Sequence, residues 1–155
     1  VIVACGSFSP PTYLHLRILE EARDCLSSDF QVIGGIISPV NDQYGQIHKH
    51  SLQAAHGQHR VNMCRLATQT SDWIGVSDFE VSLDRWTRVA VVLECYGKAL
   101  QCHYQPPELH NNIREQQQTN TEQRIHLKFL GGSDLLESMK RPNLWRRDHQ
   151  EIILG

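Results

Sequence analysis

Cys5-Gly6-Ser7-Phe8-Ser9-Pro10-Pro11-Thr12-Tyr13-Leu14-His15 gathers the residues best suited to do chemistry in this chain. The apolar run Val1-Ile2-Val3-Ala4 comes just before it, and an amphipathic segment follows from Leu16. Such an order describes a buried strand, a glycine turn and a histidine at the mouth of a helix. Gly6 can take backbone angles that other residues avoid, and it lets a ligand come close to the main chain. The start of the following helix offers unpaired N–H groups and the positive end of a dipole, a seat for phosphate. His15 adds a side chain able to donate hydrogen bonds to phosphate oxygens. The combination points to a nucleotide site. A second glycine turn, Gly131-Gly132-Ser133-Asp134, also follows an apolar run and opens a short amphipathic stretch. Taken alone it is a strand-to-helix turn, with glycine for geometry and aspartate for the helix dipole.

The elements that must hold these turns are short. Val1 to Ala4, Gln31 to Ile37, Trp73 to Ser77, Ile125 to Leu130 and Glu151 to Leu154 are predicted strands. They are mostly apolar, as strands covered on both faces should be. Helical spacing predicts helices over Leu16 to Leu26, His59 to Thr70 and Leu83 to Gly97, with Ser133 capping another through Met139. Alternating strands and helices imply α/β architecture: a doubly wound parallel sheet with right-handed crossovers. Ligands in such sheets sit beyond the carboxyl ends of the strands, where strand order reverses.

Residues 1–155 form a single domain by length, with a flexible polar insertion at about 101–124, rich in Pro, Asn and Gln. The formal net charge of -2 gives no reason to invoke nucleic acid or an anionic membrane. No apolar run approaches the ~20 residues of a transmembrane segment. Five scattered cysteines with no C-x-x-C pair favour reduced thiols in an intracellular compartment. His48, His50, His56 and His59 lie close together, but no cysteine or acidic partner in the sequence supports a metal site, and none is assigned.

The pattern G-x-F-x-P-x-T-x-x-H at Gly6, Phe8, Pro10, Thr12 and His15 resembles the signature of the nucleotidyltransferase superfamily. Three further stretches sharpen the resemblance to eukaryotic nicotinamide/nicotinate mononucleotide adenylyltransferases. They are Gly34 to Val40, Gly132 to Ser138 and Pro142-Asn143-Leu144-Trp145. It implies a Rossmann-like sheet of strand order 3-2-1-4-5, incomplete at its C-terminal end. It implies adenylyl transfer from ATP, with its Mg²⁺, to nicotinamide or nicotinate mononucleotide, giving NAD or its deamido form and pyrophosphate. His15 is then the catalytic residue. Gly6, Ser7, Phe8, Lys49, Trp86, Gly132, Asp134, Leu144 and Trp145 bind nucleotide or substrate, with Trp86 and Trp145 stacking on the pyridinium.

Departures from the family pattern are visible. Ser9 replaces the usual Asn, and Gln46 stands where a phosphate-binding lysine is usual. Lys49 either fills that role from a shifted loop or the charge is lost. No counterpart exists of the Ser/Thr-rich I-S-S-T-x-x-R segment that completes the family's ATP site, so a truncated chain of weak or absent activity is expected. Alternatives from the same residues are another acceptor, such as a pantetheine phosphate, or a non-catalytic isoform with a binding or regulatory role. A homo-oligomer is compatible with all three, as are cytoplasm, nucleus and mitochondrion.

Overall fold

The computed structural model describes residues 1–44, 55–103 and 125–154, with Leu154 described in its backbone alone. Four parallel strands form the sheet: β1 (Ile2–Gly6), β2 (Gly35–Pro39), β3 (Ile74–Val76) and β4 (Lys128–Leu130). Their order is β3-β2-β1-β4, so the chain leaves β1 in one direction and returns on its other side at β4. Among the described residues five helices accompany them: α1 (Tyr13–Leu26), α2 (Gly57–Ala67), α3 (Val89–His103), α4 (Ser133–Met139) and α5 (Arg147–Leu154).

Alternation along β1 and β2 divides the core. Ile2, Ala4 and Ile37 join Leu19 of α1 and Cys64 of α2 in one buried cluster. Ser38 faces the other side and meets Tyr96 of α3. Gly35 is required by packing, since a Cβ there would stand 2.8 Å from the Trp73 ring.

Three sequence expectations are corrected. Glu151 to Leu154 is the end of helix α5, so no fifth strand exists among the described residues, and the order seen is 3-2-1-4. Three apolar residues after Glu151 fit either period, and Asp148 in the first helical turn, with its carboxylate accepting from the His149 N–H at 3.0 Å, favours helix. The helix expected from Leu83 begins only at Val89. Residue Gly132, and not Ser133, is the cap of α4. Of the expected polar insertion, residues 101–103 belong to α3 and 104–124 lie outside the described residues.

Two buried polar contacts hold the carboxyl ends of β1 and β2. The first is Arg60 of α2, 1% exposed. Its guanidinium donates to the carbonyls of Ala55 (2.9 Å), Ser7 (2.9 Å) and Val40 (2.6 Å) and to Oδ1 of Asp42 (2.8 Å). Burial opposes ionisation of Asp42, but the Arg60 hydrogen bond and charge, the Gly57 N–H and His56 outweigh it and lower its pKa. Ionised Asp42 therefore adds stability above the ordinary carboxylate range, and that contribution is lost on acidification through its lowered value.

The second contact is Glu80, 3% exposed, whose Oε1 accepts from the Ser38 hydroxyl at 2.6 Å. The Tyr96 hydroxyl lies 2.9 Å from the same Ser38 oxygen. Burial raises the Glu80 pKa, partly offset by the Ser38 and Cys5 hydrogen bonds and the Arg60 charge. The sign is opposite to that of Asp42: its favourable contribution holds below the ordinary value and fades as pH rises through the raised one.

Three variants test these contacts. Arg60→Met strands Asp42 and three carbonyls, and thermal unfolding should show a loss of about 3 kcal/mol, or roughly 10 °C. Arg60→Lys should recover only part, because an ammonium cannot reach all four acceptors. Glu80→Gln should match the parent near pH 4 and exceed its melting temperature at pH 8 by about 2 °C. A parent that melts higher than the variant at pH 8 would contradict the assigned direction.

Candidate functional site

The loop from β1 to α1 is built around the Phe8 ring. Phe8 has φ 46, in the left-handed region that non-glycine residues seldom enter, and is 6% exposed. Its ring lies so near Gly6 that a Cβ on Gly6 would be 3.2 Å from it. The same ring meets His15 edge-on, with centroids 5.1 Å apart. A side chain at position 6 would therefore press on the Phe8 ring and push it back by a few tenths of an ångström. The buried Phe8 side chain supports the loop, and only its backbone is left to address a ligand.

Thr12 caps α1, and His15 occupies the third helical position, where a capping box usually has Glu or Gln. His15 Nδ1 accepts from the Thr12 backbone N–H at 2.9 Å and lies 2.8 Å from Thr12 Oγ1. A backbone N–H can only donate, so Nδ1 is the accepting nitrogen. The neutral ring then carries its proton on Nε2, a donor of fixed direction for an anion at the loop. Ser7 gives its carbonyl to Arg60, and the Ser9 hydroxyl accepts the Ala55 N–H at 3.1 Å. The residue that departs from the family pattern thus ties this loop to the start of α2.

On the other side of β1, Gly131 and Gly132 continue from β4. The register pairs Ala4 with Leu130, so both glycine turns leave the same edge of the sheet side by side. Asp134 folds back over Gly132, where a Cβ would stand 2.5 Å from its carboxylate Oδ1. Trp145 is half-buried and donates from Nε1 to Ser138 Oγ of α4 at 2.9 Å. Neighbouring Leu144 is 57% exposed, beyond the turn made by Asn143 at φ 61.

The loop after β2 carries a third group. Trp86 is on an irregular segment rather than the expected helix, and its ring centroid lies 6.0 Å from that of Tyr44. Asn41 Nδ2 donates to the Leu83 carbonyl at 2.7 Å, which diverts that segment from helical bonding. His56 caps α2 by accepting the Gln58 N–H, and its Nε2 lies 3.4 Å from Asp42 Oδ2. Asp42 is an acidic neighbour for that histidine that sequence order did not reveal. His48, His50 and Lys49 lie outside the described residues. Among the described residues no group of three or more His, Cys, Asp or Glu could hold a metal ion.

The structure therefore brings Gly6, Phe8 and His15 into contact, and Gly132 with Asp134, on adjoining strand ends. Trp86 is held by the β2 loop and Trp145 by α4. The third tryptophan, Trp73, is elsewhere, beside a cleft of about 280 Å³ at the N-terminal edge of the sheet. There its Nε1–H donates to Glu20 at 3.0 Å and Arg23 covers its ring. Sequence reasoning missed Arg60, Asp42, Gln43 and Glu80. For Arg60 a signal existed: a charged residue four before Cys64 and seven before Ala67, on the stripe that α2 buries. All five cysteines are unpaired. No helix among the described residues is long and apolar enough to cross a membrane.

Comparison with known proteins agrees with this geometry. The profile of the cytidylyltransferase-like family matches residues 3–153. The chain is 42% identical over 160 residues to nicotinamide/nicotinic acid mononucleotide adenylyltransferase 1 of Saccharomyces cerevisiae, covering all of this chain and 36% of that protein. To the protein of the same name from Bos taurus it is 36% identical over 177 residues, covering all of this chain and 61% of the bovine one. To nicotinamide/nicotinic acid mononucleotide adenylyltransferase 2 of Xenopus tropicalis it is 32% identical over 219 residues, covering all of this chain and 70% of that protein. The chain spans about a third to three-fifths of the length of the first two. With its parallel sheet and paired glycine turns, the chain belongs to the cytidylyltransferase-like family, among the nicotinamide/nicotinic acid mononucleotide adenylyltransferases.

Proposed function

We propose that this chain carries the site for adenylyl transfer from ATP to nicotinamide or nicotinate mononucleotide, in NAD biosynthesis. The observation that carries this is the fixed orientation of His15: Thr12 occupies Nδ1 and leaves Nε2–H as a donor at the glycine loop. An oxygen of the mononucleotide 5′-phosphate attacks the α-phosphorus of ATP. The bond from that phosphorus to the β-phosphate bridging oxygen breaks, and pyrophosphate leaves with the electron pair. The attacking phosphate is already anionic, so no strong base is needed. Transfers of this kind rest on positioning and charge stabilisation.

The roles divide along the sheet edge. His15 Nε2–H meets the triphosphate and the charge that builds on the departing pyrophosphate. Backbone groups of Gly6, Ser7 and Phe8 face the mononucleotide phosphate, with Lys49 as a further cation for phosphate. Gly132 offers its backbone to the adenine nucleotide, and the Asp134 carboxylate accepts from a ribose hydroxyl. Trp86, Leu144 and Trp145 hold the pyridine ring, a flat cation suited to aromatic faces. Mg²⁺ enters as part of the ATP substrate, held mainly by phosphate oxygens and water. The printed names of the matched relatives favour a pyridine nucleotide over a pantetheine phosphate as acceptor. Unpaired thiols suit a reducing, intracellular setting, and assembly into a homo-oligomer is compatible with the site.

The test is a titration with nicotinamide mononucleotide that follows tryptophan emission, together with an assay of pyrophosphate release in the presence of MgATP. Saturable quenching is expected, reduced by Trp86→Ala and by Trp145→Ala. His15→Ala should keep the quenching and lower turnover about 10²–10³-fold, the usual cost of losing one donor to a developing anion. Absence of quenching together with absence of pyrophosphate release would contradict the assignment.

A further inference from the structure

Trp86 is not on a helix that would orient it, so something else must set where its indole stands. The carboxamide of Gln43 spans two points of the segment that carries it. Gln43 Nε2 donates to the Asp84 carbonyl at 3.2 Å, and Gln43 Oε1 accepts the Trp86 backbone N–H at 3.2 Å. Both partners are backbone groups with fixed roles, since a carbonyl only accepts and an N–H only donates. The amide orientation is therefore determined by its neighbours. Glutamine supplies a donor and an acceptor at this reach; glutamate would set a second acceptor against the Asp84 carbonyl.

The clamp is itself pre-set. Asn41 Oδ1 accepts the Gln43 N–H at 3.0 Å, while Asn41 Nδ2 reaches the Leu83 carbonyl at 2.7 Å. Two amide side chains on alternate residues of the β2 loop thus grip Leu83, Asp84 and Trp86 in turn. Tyr44 then brings its ring toward Trp86 from the next position. Asn41 is buried, but Gln43 is only half-buried and lies outside the apolar core. Its removal should disturb the segment without unfolding the domain.

We propose that Gln43 is a positioning residue for Trp86, and through it a determinant of affinity for the pyridine mononucleotide. The affinity claim rests on the reading of Trp86 as a wall of the pyridine site; the positioning claim does not. Gln43→Met keeps the length of the side chain and removes both hydrogen bonds.

The ligand-free protein, labelled with 5-fluorotryptophan, should give three ¹⁹F resonances, with the Trp86 line identified by Trp86→Phe. In Gln43→Met that line should shift toward the solvent-exposed position and broaden, while the Trp73 and Trp145 lines stay in place. Gln43→Glu should move the same line. An unchanged Trp86 line in both variants would overturn the proposal. With nicotinamide mononucleotide added, Gln43→Met should bind about fivefold more weakly, the scale of one or two lost hydrogen bonds, with ATP affinity unchanged. Equal affinity of parent and variant for the mononucleotide would overturn the affinity claim. A parent that binds no mononucleotide, with the ¹⁹F shift present, would overturn the pyridine-site reading and leave the positioning role supported.

Discussion

A single buried guanidinium organises the mouth of this fold. Arg60 takes carbonyls from the loops after β1 and β2 and from the start of its own helix, and adds the Asp42 carboxylate. A charge withdrawn from water so completely is tolerated only when its donors are satisfied. Here satisfaction requires Ser7, Val40, Asp42 and Ala55 to converge. The loop that carries Gly6 and Phe8 cannot drift from the loop that carries Asn41 and Gln43 without leaving that charge unpaired. Geometry at the sheet edge is thereby tied to stability of the fold.

From that anchor the site is assembled by short local contacts. Phe8 folds under Gly6 and props the edge of His15, and Thr12 selects its tautomer. Ser38, Glu80 and Tyr96 bind the opposite face of β2 to α3. The Asn41 and Gln43 amides then carry order outward to Trp86. On the β4 side, Asp134 and Gly132 fit together, and Ser138 holds Trp145. Directional polar contacts at strand ends, together with the buried Phe8 ring, position His15, Trp86 and Trp145.

Much of this was legible in the sequence where period and glycine chemistry speak together. The strand, turn and helix around Gly6 and His15 could be read because apolar alternation stops at a glycine and resumes at helical spacing. The β3-β2-β1-β4 order agrees, as far as it extends, with the order that the family resemblance implies. Glu151 to Leu154 reads as a strand because its three consecutive apolar residues carry no period. Trp86 was placed on a helix because Leu83, Trp86 and Ala90 have helical spacing, whereas side chains some forty residues earlier take the Leu83 and Asp84 carbonyls and the Trp86 N–H. Arg60 was passed over because most of its acceptors are main-chain carbonyls, which every residue has and no motif marks.

The proposed chemistry needs His15 to present Nε2–H to phosphate, and nitrogen NMR of histidine side chains reads that directly. With ¹⁵N-labelled histidine, the neutral form of His15 should show an unprotonated Nδ1 and a protonated Nε2. Addition of MgATP should shift the His15 Nε2 resonance saturably while the histidines remote from the loop hold still. A His15 ring protonated on Nδ1 alone, or one indifferent to saturating nucleotide, would contradict it.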